Sequence, residues 1–332
     1  MSDHPVIKVE NLNVDFPLGR ALFGKPPMLR AVNDVSLEIM PRKFFGLVGE
    51  SGSGKTTLGR AMLRAAPITS GRISFNNGKT NYDVGQMSKI ELKEYRKQAQ
   101  LIFQDPYAAL SPRMTVRDII SEPLEVMELT KTREETDQKV REIASKCRLN
   151  LEHLRRFPHA FSGGQRQRIS IARTLVCSPD FVVADESVAA LDVSIQADIL
   201  NLLKSLQSQM GLTFLFISHD LSVVAHICDH VAVMYLGTLV ESAPTKKLFA
   251  NPRHPYTKAL LSSIPSLDPD DSGKAQKLEG EIPSPVNPPN GCNFHTRCPM
   301  AEARCRTEVP EWRQLSEGHS VACHFSNNLP NP

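Results

Sequence analysis

The sequence has no uninterrupted apolar run of about 18 residues, so no membrane-spanning helix is expected. Its opening, MSDHPVIKVE, is polar and carries acids, and it does not read as a secretory leader. Net charge is scarce as well. A balance of +3 over 332 residues is too small to argue for a nucleic-acid partner. There is no internal repeat or long low-complexity tract, so no array of stacked units is expected. Hydrophobic content of 41% and charged content of 23% are ordinary for a globular protein. A cytosolic protein is expected, with any membrane role supplied through a partner. Cysteine is sparse over most of the chain. Cys147, Cys177 and Cys228 are scattered and read as inert buried thiols. Cys292, Cys298, Cys305 and Cys323 instead crowd together near the end and need their own account.

Hydrophobic patterning sets out the elements. VIKVENLNVDF and AVNDVSLEI alternate like strands, and KFFGLVGE reads as a buried strand. A helix is expected from about Lys55 to Arg64, and GRISFNNGKT reads as a strand and turn. From about Ser88 to Cys177 the pattern becomes mostly helical. DFVVADE returns to a buried strand. IQADILNLLKSLQSQMG is an amphipathic helix closed by Gly211, and LTFLFISHD is a further buried strand. HVAVMYLGTLVES suggests a hairpin around Gly237. Beyond about Asn251 proline accumulates, as in SPVNPPNGC, which predicts an extension laid over a surface.

The stretch GESGSGKTT, residues 49 to 57, comes directly after the buried strand FFGLV. Gly49, Gly54, Lys55 and Thr56 satisfy G-x-x-x-x-G-K-[ST], with Glu50, Ser51, Gly52 and Ser53 between them and Thr57 after. Without Cβ atoms in the way, backbone N–H groups converge on phosphate oxygens. The helix beyond the loop adds the positive end of its dipole. Lys55 would reach the outer phosphates and the Thr56 hydroxyl would bind Mg²⁺. The bland alternative is a chance glycine turn. A phosphate loop alone does not distinguish ATP from GTP.

In FVVADE, four apolar residues lead to Asp185, which places a carboxylate at the end of a buried strand. Such an acid suits Mg²⁺, held directly or through water. Glu186 comes next and is positioned to polarise an attacking water. The alternative is an ordinary acid pair at a strand end.

FSGGQRQR, Phe161 to Arg168, resembles the signature of the ATP-binding cassette family, usually LSGGQ, with Phe161 in place of leucine. The resemblance implies that Ser162, Gly163, Gly164 and Gln165 open a helix facing a γ-phosphate. By the same resemblance, Gln104, in LIFQDPYAALSP, matches the loop glutamine that senses Mg²⁺ and touches the membrane partner. Asp192, in AALD, matches the family's loop that crosses the dimer interface. His219, in ISHD, matches its switch histidine. Phe16 is the candidate for stacking on adenine, with Phe23 as runner-up. The sequence departs from the family at Ser187, where proline usually comes after the glutamate, and at Ala189, where serine is frequent.

The implied fold is α/β: a P-loop NTPase core of RecA-like type, with an antiparallel β subdomain and a helical signature subdomain at about 88–178. The cassette would occupy 1–250 and a Cys-containing extension 251–332. In the family, each ATP lies between the phosphate loop of one subunit and the signature of another. One phosphate loop and one signature therefore imply a second cassette, identical or related, and two membrane permeases.

HPYTKALLSSIP and GEIPSPVNPPNGCNFHTRCP resemble the C-terminal extension of oligopeptide and dipeptide importer ATPases, and the resemblance runs from about residue 6 to 325. It implies an ATPase subunit at the cytoplasmic face of the inner membrane, fed indirectly by an external solute-binding protein. Nickel and glutathione are alternative cargoes, and a soluble non-transport cassette is a more distant alternative. The tail cysteines are spaced C-x5-C-x6-C-x17-C. Four thiolates can enclose zinc or hold an iron–sulfur cluster, and cysteines that bind no metal are the third reading; the resemblance favours [4Fe–4S]. His295, His319 and His324 read as surface or packing residues.

Overall fold

The computed structural model describes residues 4–19, 26–105, 109–189, 191–264 and 280–326. The chain clusters into two compact units. The first comprises the stretch up to Ile7, Ile39–Lys43 and Ser74–Ile217; the second comprises Lys8–Glu38, Phe44–Ile73 and the chain from Ser218 onward.

In the second unit, β1 (Ile7–Pro17) lies beside β2 (Met28–Ile39). Buried Val9, Leu12 and Val14, and Val35, Leu37 and Ile39, make one apolar face on each strand. β3 (Phe44–Val48) is buried at every position and pairs in parallel with β9 (His230–Tyr235), from Phe45↔His230 to Val48↔Val233. A strand covered on both faces has no polar side to show, which is why FFGLV and VAVMY are continuous apolar runs. β9 turns back into β10 (Thr238–Pro244) through Leu236 and Gly237, both at positive φ (43° and 81°). This is the twist a two-residue hairpin needs.

The extension does more than cover a surface. Its strands β11 (Arg313–Ser316) and β12 (His319–Val321) join the sheet through β10, with Glu241↔Val321 and Ser242↔Ser320 in register. Five strands therefore run in the order β11-β12-β10-β9-β3. Helices α1 (Lys55–Met62), α7 (Leu221–Ile227), α8 (Thr245–Ala250), α9 (Pro255–Ser262) and α10 (Ala303–Thr307) also belong to this unit.

In the first unit, β4 (Ser70–Asn76, its last three residues here) pairs antiparallel with β5 (Asn81–Asp83). β6 (Ala99–Ile102), β7 (Phe181–Asp185) and β8 (Thr213–Ile217) pair in parallel. The stretch 88–177 is mostly helical as predicted, but it also contains β6. Four residues are too few to show a period of two. Its helices are α2 (Lys89–Gln98), α3 (Val116–Val126), α4 (Arg133–Lys146) and α5 (Gly163–Leu175). Ser88, Thr115, Thr132 and Ser162 cap them, each accepting a hydrogen bond from a backbone N–H of the first turn. α6 (Val193–Met210) ends at Gly211, φ 68°. Among the described residues no helix is long and apolar enough to cross a membrane.

Candidate active site

The phosphate loop joins β3 to α1, so its glycines have specific duties. Gly49 adopts φ 150°, and a Cβ there would lie 2.1 Å from the Met234 carbonyl oxygen. Gly54, the N-cap of α1, has φ 101°, and a Cβ would meet the Ala31 carbonyl oxygen at 2.3 Å. Neither position tolerates a side chain. The first turn of α1 carries no acid, which leaves its positive end uncovered for an anion. Lys55 is buried and folds back on the loop. Its Nζ donates to the Gly49 and Glu50 carbonyl oxygens, both at 2.8 Å, and to Ser53 Oγ at 3.3 Å. A buried ammonium needs such acceptors. Ser51 and Gly52 are exposed, while Thr56 and Thr57 are half-buried at the start of α1.

Glu50 is held by the extension. Its backbone N–H donates to Tyr256 Oη at 2.9 Å. Its carboxylate accepts from both terminal nitrogens of Arg297, at 2.7 and 3.0 Å. Sequence reasoning missed Arg297 and Tyr256, although both lie in the tail segments that carried the resemblance. His219, also in this unit, is exposed just beyond buried Ser218, and Asp220 after it caps α7. Phe16 is half-buried in β1; Phe23 lies outside the described residues.

In the first unit, Asp185 is buried at the carboxyl end of β7, as expected from FVVAD. Glu186 comes next with φ 46°, its N–H donating to the Ile217 carbonyl oxygen at 3.0 Å. The structure brings two predicted residues together here: Gln104 Nε2 donates to Glu186 Oε2 at 2.9 Å. Ser187 is buried, and its hydroxyl has no hydrogen-bond partner among the described residues.

Ser162 caps α5 in a reciprocal box with Gln165. Both side chains are exposed, while Phe161 is buried behind them. Arg166 ties the approach down through the Pro158 and Phe161 carbonyl oxygens, both at 2.9 Å. A Cβ on Gly164 would meet Ile195 Cγ2 at 2.5 Å, so this glycine is a packing requirement against α6. Asp192 is the N-cap residue of α6, exposed and without a side-chain capping bond.

The ABC transporter family model matches residues 32–189, and the model for the oligopeptide/dipeptide transporter C-terminal region matches residues 240–305. A protein of Brucella ovis, named "Putative peptide import ATP-binding protein", is 49% identical over 327 residues, covering 98% of this chain and 100% of its own. The chain belongs to the ABC transporter family, in its oligopeptide/dipeptide branch. The oligopeptide transport ATP-binding protein AppF of Bacillus subtilis is 46% identical, covering 96% of this chain and 97% of its own. Among solved structures, the ATP-binding cassette MJ0796 bound to ADP and Pi superimposes with a TM-score of 0.63 at 25% identity, covering 72% of this chain and 98% of its own. The cbiO1 protein of Clostridium perfringens gives 0.63 at 26% identity, over 75% and 92%. Membership makes this ABC protein an ATPase with a P-loop NTPase fold.

The extension of this ABC protein contains the four clustered thiols. None forms a disulfide. Cys292 N–H donates to the Cys305 carbonyl oxygen at 2.8 Å. Burial pushes the Cys292 and Cys298 thiols up to about 11 and raises Cys323. Among the described residues no group of three or more His, Cys, Asp or Glu side chains is placed to hold a metal ion. The nearby histidines are engaged elsewhere. His295 Nδ1 faces the Cys292 carbonyl oxygen, His319 pairs with Glu241 and His324 faces the Glu308 carbonyl oxygen.

Proposed function

We propose that the chain is the ATP-hydrolysing subunit that energises import of oligopeptides or dipeptides across the bacterial inner membrane. The observation that carries this reading is the full-length match: cassette and extension together align with a peptide import protein over 98% of the chain. The named relatives favour peptides over nickel or glutathione as cargo.

In this reading residues 1–250 form the cassette, with the helical subdomain at about 88–178, and 251–332 the importer-type extension. The loop 49–57 holds the triphosphate, Lys55 turning from its own carbonyls to the outer phosphates. Phe16 stacks on adenine. Thr56, Gln104 and Asp185 would hold Mg²⁺; hydroxyl, amide and carboxylate oxygens are the hard donors that ion prefers. When bound, Mg²⁺ neutralises charge developing on the phosphoryl group. Glu186 orients and polarises the attacking water, with Gln104 fixing its carboxylate and His219 facing the γ-phosphate. Ser162, Gly163, Gly164 and Gln165 contact the γ-phosphate held by a second cassette, and Asp192 lies along that seam. Nucleotide favours the closed pair by contacts made only there, and hydrolysis removes them. Two permeases supply the pore, and an external binding protein delivers cargo, with the chain peripheral on the cytoplasmic face.

Spacing and resemblance make Cys292, Cys298, Cys305 and Cys323 candidate ligands for a [4Fe–4S] cluster, with zinc as its alternative. Ligation needs thiolates converging on a metal. Burial raises the Cys292 and Cys298 thiols, with smaller contributions from neighbouring Cys305 and Cys323, so ligation would release their protons to solvent; among the described residues no ligating set is already in place. Metal and sulfide analysis of the purified chain tests the candidate cluster: four sulfur-bound irons per chain support it, zinc supports its alternative, and a metal-free chain removes both. The function itself is tested by co-purifying the chain with its permeases and measuring ATP hydrolysis in vesicles. Stimulation by peptide-loaded binding protein supports the reading; hydrolysis indifferent to peptide would remove the cargo assignment.

A further inference from the structure

A loop built to receive an anion carries an anion of its own. Glu50 is the second residue of the phosphate loop, and its carbonyl oxygen accepts from Lys55 Nζ, the ammonium that the motif aims at the outer phosphates. A carboxylate at that position opposes a nucleoside triphosphate unless its charge is cancelled. Arg297 supplies the cancellation from 247 residues away in sequence. The pairing is bidentate, at 2.7 and 3.0 Å, the fork-on-fork geometry that arginine offers a carboxylate and lysine does not.

The pair is set in a built environment. The Arg297 side chain is only 5% exposed, against 24% for Glu50. Its guanidinium lies 5.9 Å from the centre of the Tyr235 ring and donates to Tyr235 Oη at 3.4 Å. Tyr235, Tyr256 and Phe294 pack on one another with ring centres 4.7 to 5.3 Å apart, all fully buried. Tyr256 also takes the Glu50 N–H, which removes one loop donor from phosphate binding. Residue 50 is thus fixed at its amide and its side chain by the extension and at its carbonyl by Lys55. The hydrogen bonds to Glu50 raise the Arg297 pKa, so the guanidinium stays charged.

We propose that Arg297 is a positioning residue for nucleotide binding: by neutralising Glu50 it lets the C-terminal extension set the affinity of the phosphate loop for nucleoside triphosphate. The inference rests on the nucleotide-binding reading of the loop and adds a role for the extension within it. Arg297 touches no phosphate itself; it acts through Glu50.

The test is the Kd of the full-length chain for Mg²⁺-AMP-PNP, read by calorimetry in wild type, Arg297→Met, Glu50→Gln and the double variant. Arg297→Met leaves an uncompensated carboxylate in the loop and weakens binding about tenfold. Glu50→Gln leaves an uncompensated guanidinium beside it and tightens binding about threefold. The double variant returns to within about threefold of wild type. Opposite signs with mutual rescue are what charge cancellation predicts; a purely structural role weakens binding in both singles and further in the double. An Arg297→Met variant that binds like wild type, or a double no better than Arg297→Met, overturns the inference. Should Arg297→Met fail to fold, Arg297→Lys replaces it. Retained charge is then expected to hold Kd within about threefold of wild type, and a tenfold weakening contradicts the charge account. A wild-type chain that does not bind AMP-PNP at all would instead sink the nucleotide reading, and this inference with it.

Discussion

Gln104 Nε2 donates to Glu186 Oε2 at 2.9 Å, across 82 residues of sequence. An amide just beyond strand β6 thereby holds the carboxylate just beyond its neighbour, strand β7. A general base must be fixed in orientation before its basicity matters. The same amide is one that the family resemblance assigns to sensing Mg²⁺ and the membrane partner. A pull on Gln104 from outside would therefore be felt directly at Glu186.

Glu186→Gln is expected to lower kcat by at least about 10²-fold, the scale of losing a general base, with nucleotide still bound. Gln104→Ala should lower kcat by a smaller factor, about tenfold, because the carboxylate remains but is no longer held. Single-turnover kinetics separate the two effects. A loss seen only in KM would contradict both.

Gly164→Ala is expected to destabilise the first unit by about 1–3 kcal/mol, the ordinary cost of overpacking. The added methyl would lie 2.5 Å from Ile195 Cγ2, and a β-branched neighbour has little rotamer freedom with which to yield. Urea unfolding reads the change directly, and Ile195→Ala in the same chain should recover part of it.

Ser187 stands where the family usually has proline, and its buried hydroxyl has no partner among the described residues. Ser187→Ala is expected to be neutral or to stabilise by about 1 kcal/mol, since an unpaired buried hydroxyl is a cost. Equal destabilisation in thermal and urea melts would show that the hydroxyl is satisfied after all. Ser187→Pro should change turnover by restricting the backbone next to Glu186; an unaltered rate removes that idea.

Burial pushes the His254 imidazole down to about 3 and the His230 imidazole down to about 4, the latter with a smaller contribution from His319. His254 Nδ1 accepts from the Tyr256 N–H at 3.1 Å, and the His254 backbone N–H donates to the buried Glu241 carboxylate. Unfolded, both rings titrate near 6.5. Below that pH the unfolded chain binds more protons, so stability is complete above about 6.5 and falls as pH is lowered toward 4. Each ring contributes up to about 1.4 kcal/mol per pH unit in that window. The urea midpoint should fall between pH 7 and pH 5, and His254→Asn, which keeps an N-cap acceptor, should flatten the fall.

Local chemistry was legible in the sequence and distant pairing was not. GESGSGKTT announces a glycine turn because no side chain fits at Gly49 or Gly54, and FVVAD announces a buried strand because its apolar run leaves no polar face for water. Ser162 reads as a helix cap because the box with Gln165 spans only three residues. β6 stayed hidden because AQLI is too short to show alternation. β11 and β12 stayed hidden because they are short and gain their meaning from register with β10. The Glu50–Arg297 pair has no local signature, since two charges 247 residues apart look like ordinary surface residues until the fold joins them.

The central claim is that the loop around Lys55 drives transport by binding ATP. The direct measurement is peptide uptake by vesicles containing the assembled transporter, with wild-type chain and with Lys55→Ala. The account predicts ATP-dependent uptake that Lys55→Ala abolishes together with nucleotide binding. Uptake that persists in the Lys55→Ala assembly would contradict it.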